Sequence, residues 1–165
     1  MTIIIKNKET LLIDDFKFKC SVGKKGFSRY KKEGDNKTPI GIFNLGNIYF
    51  REDRIKKLSS KLKKIKIKRN MGWCDDPKSK DYNKLIKIKK DLKISYEKLF
   101  RRDSKYDLFI LIKYNFKKIQ KNKGSAIFIH LTKNYSPTKG CIAIKKDDFF
   151  ILNKLIQKNT KIKIN

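Results

Sequence analysis

At 165 residues, 39% of them hydrophobic, the chain is long enough for one domain with a core and short for two of ordinary size. Its formal net charge of +28 arises from 44 Lys and Arg against 16 Asp and Glu; 38 of the basic residues are lysine, in a chain also rich in Ile and Asn. Such an excess attracts polyanions without selectivity, but six arginines are few for a dedicated reader of phosphates and bases. The lysine excess reads as bias toward AT-rich codons. One histidine and three cysteines at unrelated spacings exclude the usual zinc patterns, so no metal or cofactor is expected, and no apolar run approaches a membrane span.

In chain order, residues 2–6 and 11–13 are expected as short strands around a turn at Asn7–Lys8. Glu9, Asp14 and Asp15, with only short apolar runs, do not resemble a secretory signal. Phe16, Phe18 and Cys20 alternate with Lys17 and Lys19, the period of a half-buried strand that Gly23 to Gly26 ends. A polar loop over 28–37 leads to a strand starting at Thr38-Pro39. Residues 54–69 carry nine basic residues and no acid, and are expected as a short helix running into an alternating segment. Their charge is either a solvated face or a binding patch. Trp73 is placed on a loop with Asp75 and Asp76, acids that can cap a helix, bind a cation or hold a substrate ammonium. Residues 95–100 are expected as a capped helix with Glu97 in its first turn.

Residues 108–114 and 126–131 are strongly apolar, β-like runs. An amphipathic helix follows over 147–157, with Phe149, Leu152 and Ile156 on one stripe and Asp147 and Asp148 at its N-terminus. Residues 160–164 close the chain as an alternating strand. Many short strands and few helices predict a mainly β domain with one or two covering helices. Cys20 and Cys74 could form a bridge, but free thiols are the simpler expectation.

The chemistry concentrates in residues 125–144, SAIFIHLTKNYSPTKGCIAI. His130 ends one apolar run and Cys141 begins another, with a turn-rich connection between them, so two strands could set an imidazole beside a thiol. That pair suits nucleophilic acyl transfer, because the imidazole raises the thiolate fraction. Gly140 lacks a Cβ, so a substrate carbonyl could approach the Gly140 and Cys141 amides as an oxyanion hole. Taken alone, the same residues also fit a buried small hydrophobe and a structural histidine.

His130 with Thr138-Lys139-Gly140-Cys141 resembles the signature of the L,D-transpeptidase catalytic domain family, the YkuD type. Gly34-Asp35-Asn36-Lys37-Thr38-Pro39-Ile40-Gly41-Ile42-Phe43 is similar to a second segment of that family. Gly72-Trp73-Cys74-Asp75-Asp76-Pro77 with Tyr82-Asn83 is similar to one of its branches. Residues 101–115 and 124–130 continue the pattern, so the match runs from about Cys20 to the end. Lys139 stands where the family has histidine, and Ala143 where Asn or Arg is frequent. The His-to-Cys interval is also shorter than in better-known members. The resemblance implies a single β-sandwich-like catalytic domain over residues 1–165, acting without cofactor, as a monomer, on peptidoglycan stem peptides. Cys141 would be the nucleophile, His130 the base and Gly140 part of the oxyanion hole; Thr138, Lys139, Trp73 and Asp75 would contact substrate. It also implies a cell-wall or periplasmic location. The alternative is a basic, non-enzymatic module that binds nucleic acid or an anionic surface.

Overall fold

The computed structural model describes residues 1–165. β1 (Thr2–Asn7), β2 (Thr10–Ile13) and β3 (Phe16–Lys19) form an antiparallel meander. β14 (Lys161–Ile164) lies parallel to β1, and β6 (Gly41–Phe50) lies antiparallel to β14. Being ten residues long, β6 pairs over its second half with β11 (Leu108–Ile112) and is flanked there by β7 (Lys64–Lys66). β12 (Phe128–Leu131) runs antiparallel to β11, and β13 (Ile142–Ile144) runs parallel to β12. The series closes on itself: Ser21, just past β3, exchanges two backbone hydrogen bonds of 2.9 Å with Ala143 of β13. That seam leaves no free edge where the catalytic candidates lie.

Three smaller pieces complete the fold. β8 (Met71–Cys74) is the centre of a sheet with β9 (Leu85–Lys87) and β10 (Tyr96–Lys98). β4 (Phe27–Ser28) and β5 (Thr38–Pro39) form a short parallel ladder. The single helix, α1 (Lys146–Leu155), carries Asp147 and Asp148 in its first turn and buries Phe149 and Leu152. The fold is mainly β and sandwich- or barrel-like, as expected, with one covering helix. No helix is long and apolar enough to cross a membrane.

The apolar runs are uninterrupted because β11, β12 and β13 are covered on both faces. Leu108, Ile110, Ile129, Ile142 and Ile144 enter the main core with Phe149 and Leu152. The alternate residues Phe109, Leu111 and Phe128 face a second core beneath the β8 sheet, with Tyr49, Trp73, Tyr106 and Cys141. Its aromatic rings interlock: Phe109 stacks on Tyr49 at 4.7 Å, and Phe128 meets Trp73 edge-on at 5.3 Å.

Two expected helices are absent. Residues 54–63 follow an irregular path because side chains elsewhere claim them: Arg54 pairs with Asp107 at 2.8 Å, and Asn153 of α1 donates to the Ser59 carbonyl at 2.6 Å. Residues 96–98 are a strand, not a helical turn; Ser95 donates to Asp75 Oδ1 at 2.6 Å across to β8 rather than capping a helix, and Glu97 stands opposite Trp73. Trp73 accordingly lies in β8, not on a loop. All three cysteines are free and buried.

Candidate active site

Cys141 immediately precedes β13 and His130 lies within β12. In the parallel register Ile129 pairs with Ile142 and His130 with Ala143, so Cys141 and His130 face the same side, toward the second core. The sequence folds this way because Ile129, Leu131, Ile142 and Ile144 must all enter the main core, which forces the alternate positions outward.

The Cys141 thiol donates to the Ala126 carbonyl at 3.1 Å and accepts the Phe128 N–H at 3.4 Å. It makes no hydrogen bond to His130. Burial, and after it the Glu97 carboxylate, push the thiol up to about 12, against the opposite pull of Lys105, the Phe128 amide and Lys31. His130 is buried edge-on to Tyr106, with ring centroids 5.5 Å apart. Its Nδ1 lies 2.9 Å from the Leu131 carbonyl, which can only accept, so Nδ1 carries the proton and Nε2 is a lone pair. Nε2 is buried with no partner. Burial, and then Lys105, pull the imidazole down to about 3, so it is neutral.

A turn holds Cys141. The Thr138 hydroxyl donates to the Cys141 carbonyl at 2.6 Å and accepts the Gly140 N–H at 3.0 Å. Of the two amides named as oxyanion candidates, that of Gly140 donates to Thr138, whereas that of Cys141 meets no protein acceptor. Gly140 has φ 140°, and a Cβ there would stand 2.7 Å from the Lys37 carbonyl oxygen. Thus the Gly34 to Phe43 segment packs through Lys37 directly against the turn that holds Cys141.

Cys141 opens onto a cleft of about 510 Å³, which Asp75 and Lys139 also line. His130 and Thr138 line an adjoining cleft of about 450 Å³, and Lys105 and Lys139 belong to both. Trp73 is not brought to either cleft. It is buried in the second core, and its Nε1–H donates to Asn83 Oδ1 at 2.9 Å. The same oxygen accepts the Ala126 N–H at 3.1 Å, so Trp73 bears on the site through Asn83 and Ala126.

Residues with no sequence signal complete the first cleft. Tyr106 O–H donates to Glu97 Oε1 at 2.6 Å, and Lys105 Nζ lies 3.5 Å from the same oxygen. Lys31 is buried against Gly140 and pairs with Asp35 at 2.7 Å. A lysine three residues before Gly34-Asp35 does not stand out among 38.

No curated protein matches the chain. Among solved structures, Bd1075 of Bdellovibrio bacteriovorus matches with TM-score 0.51 and 15% identity, over 99% of this chain and 47% of that one. The helical cell shape determining protein Pgp2 of Campylobacter jejuni matches with TM-score 0.54 and 18% identity, over 99% of this chain and 46% of that one. The chain therefore spans less than half the length of either, and at these identities the likeness is one of fold. The family match is of a different kind, for the L,D-transpeptidase catalytic domain covers residues 1–164, nearly the whole chain. With a closed β fold that sets a cysteine and a histidine on one face of adjacent strands, the chain belongs to the YkuD family of L,D-transpeptidase catalytic domains.

Proposed function

We propose that this domain is a cysteine acyltransferase acting on peptidoglycan stem peptides. Cys141 attacks the carbonyl between an L-centre and a terminal D-residue, and the thioester passes to an amine of a second stem or to water. The observation that carries the proposal is the unpartnered Nε2 lone pair of His130, buried on the face that also carries Cys141. A base held in one tautomer by the Leu131 carbonyl, with its other nitrogen unoccupied, suits accepting a thiol proton.

The thiol must first leave the Ala126 carbonyl, by rotation about the Cα–Cβ bond of Cys141, to meet Nε2. Sulfur then attacks as thiolate, and the proton on Nε2 passes to the departing amine. Asp75 and Lys139, of opposite charge in one cleft, suit a substrate bearing both ammonium and carboxylate groups. Thr138 positions the nucleophile's turn, and Trp73 shares with the Ala126 N–H the Asn83 side-chain oxygen. Incubation with muropeptides of defined stem length tests the proposal: cross-linked or shortened stems should form with the wild-type chain and not with Cys141→Ala.

A second reading rests on the thiol lying on Ala126 rather than on His130, in a chain of net charge +28. A basic module with a vestigial pair would show this arrangement too. It predicts that His130→Ala leaves the rate of Cys141 alkylation unchanged.

A further inference from the structure

Two basic side chains are buried in this protein, Arg51 and Lys31. Arg51 is well occupied: each of its three nitrogens makes a hydrogen bond, two to Asp53 and one to the Arg101 carbonyl, and its guanidinium stacks on Phe100. Lys31 is not. Its ammonium has three N–H donors, and the one hydrogen bond it makes is to Asp35 Oδ1 at 2.7 Å. Asp35 divides its own charge, accepting the Lys37 and Lys32 amides at 2.9 Å each. Asp35 neutralises a cation only 3% exposed at its side chain, and two of the three ammonium donors are left for a further acceptor.

The site is built around that ammonium. A Cβ at Gly124 would lie 2.9 Å from the Lys31 Cε, and one at Gly140 would lie 3.4 Å from its Nζ. Two glycines thus make a slot that carries the lysine stem past residue 124 and sets its charge against the residue before the nucleophile. Lys31 lines the same cleft as Cys141. Meanwhile the Gly140 amide, one half of an ordinary two-amide oxyanion hole, is already donated to Thr138.

We propose that Lys31 is the catalytic cation of the oxyanion site: its ammonium, held beside Gly140 by Asp35, receives the negative charge that forms on the substrate carbonyl oxygen as Cys141 attacks. The inference rests on Cys141 being an acyl-transfer nucleophile. As the S–C bond forms, the carbonyl π pair moves to oxygen, which is held by Lys31 and the Cys141 amide. On collapse the C–N bond breaks, the amine takes the proton that His130 received from the thiol, and the thioester remains. Lys31 keeps its proton throughout. Preorganised charge of this kind acts on the transition state, where the oxyanion exists, and not on the bound substrate.

The test compares two reactions of the full chain at one pH: alkylation by iodoacetamide, which forms no oxyanion, and acylation by p-nitrophenyl acetate, which does. The thiolate fraction cancels in the ratio of the two rates, and the Cys141→Ala chain gives the background from other nucleophiles. Lys31→Met should lower the acylation-to-alkylation ratio about 100-fold, and Lys31→Arg should restore part of it. Should Lys31→Met not fold, Lys31→Gln reads the same ratio, since its amide can still meet Asp35. An unchanged ratio in a folded, neutral variant overturns the proposal. If the ratio depends on Lys31 but the wild-type chain does not turn over stem peptides, the substrate assignment fails and this one stands.

Discussion

The thiol of Cys141 donates to the carbonyl of Ala126 at 3.1 Å, and Ala126 is held at φ 52°, a left-handed conformation uncommon for a residue with a Cβ. What holds it there is Asn83, itself at φ 56°, whose side-chain oxygen accepts both the Ala126 N–H and the Trp73 indole N–H. The acceptor of the Cys141 thiol is therefore tied through one amide to the second core.

Asn83→Ala should show that tie. It orphans two buried donors, each worth about 1–3 kcal/mol when left unpaired, and frees Ala126 from its strained conformation. Urea denaturation should show a loss of that order, accompanied by a changed rate of Cys141 alkylation. A loss below about 0.5 kcal/mol, typical of a neutral surface change, would mean that the network does not hold the site.

His130 gives the protein a pH signature. Its folded pKa, about 3, lies below its ordinary value of 6.5, so the unfolded chain binds more protons between those limits. Its contribution is present above pH 6.5 and is lost as pH falls toward 3. Between pH 6.5 and 5 the part of the slope that His130→Gln removes belongs to His130, at up to about 1.4 kcal/mol per pH unit. Stability measured by urea melts should fall more steeply across that window in the wild type than in His130→Gln. Parallel slopes would show that the imidazole is not held neutral.

Two glycine substitutions separate crowding from backbone strain. Gly34 has φ 73° with nothing within 4 Å of a new Cβ, whereas at Gly140 the Lys37 carbonyl oxygen stands 2.7 Å away. Gly34→Ala should lose only the strain of a positive φ, about 1–2 kcal/mol. Gly140→Ala should lose more and also displace Thr138 and Cys141. Equal losses would contradict the tight contact between the 34–43 segment and the Cys141 turn.

Lys139 is exposed and borders both clefts; under the proposed function its ammonium would meet substrate rather than the thiol. Lys139→Ala should raise KM modestly with kcat nearly unchanged. His130→Ala should lower kcat by about 10²–10⁴-fold, the range for a general acid–base. Steady-state kinetics on a defined muropeptide would decide this; equal losses in kcat would put Lys139 in the proton-transfer apparatus.

Sequence pattern revealed the strands in two ways: Phe18 and Ile162 lie in segments that alternate with lysine, whereas Ile110 and Ile129 lie in uninterrupted apolar runs buried on both faces. It misassigned residues 54–63 and 95–100, where distant partners such as Asp107, Asn153 and Asp75 overrule local propensity. The Cys141 and His130 candidates were visible because the chain holds one histidine and a Gly-Cys step. Lys31, Glu97 and Ala126 were not, since a buried lysine, a cross-strand carboxylate and a carbonyl acceptor have no signature before the fold brings them together. Trp73 was legible as a motif residue, but its partner Asn83 and its depth beneath the site follow from the β8 pairing.

The most direct measurement is the mass of the intact protein after brief exposure to a stem peptide ending in a D-residue. Acyl transfer through Cys141 requires a covalent adduct whose added mass equals that of the peptide less the free amino acid released from its end. That adduct should map to the peptide containing Cys141, be lost on treatment with hydroxylamine, and be absent from Cys141→Ala. An unmodified wild-type chain, under conditions where iodoacetamide labels Cys141, would contradict it.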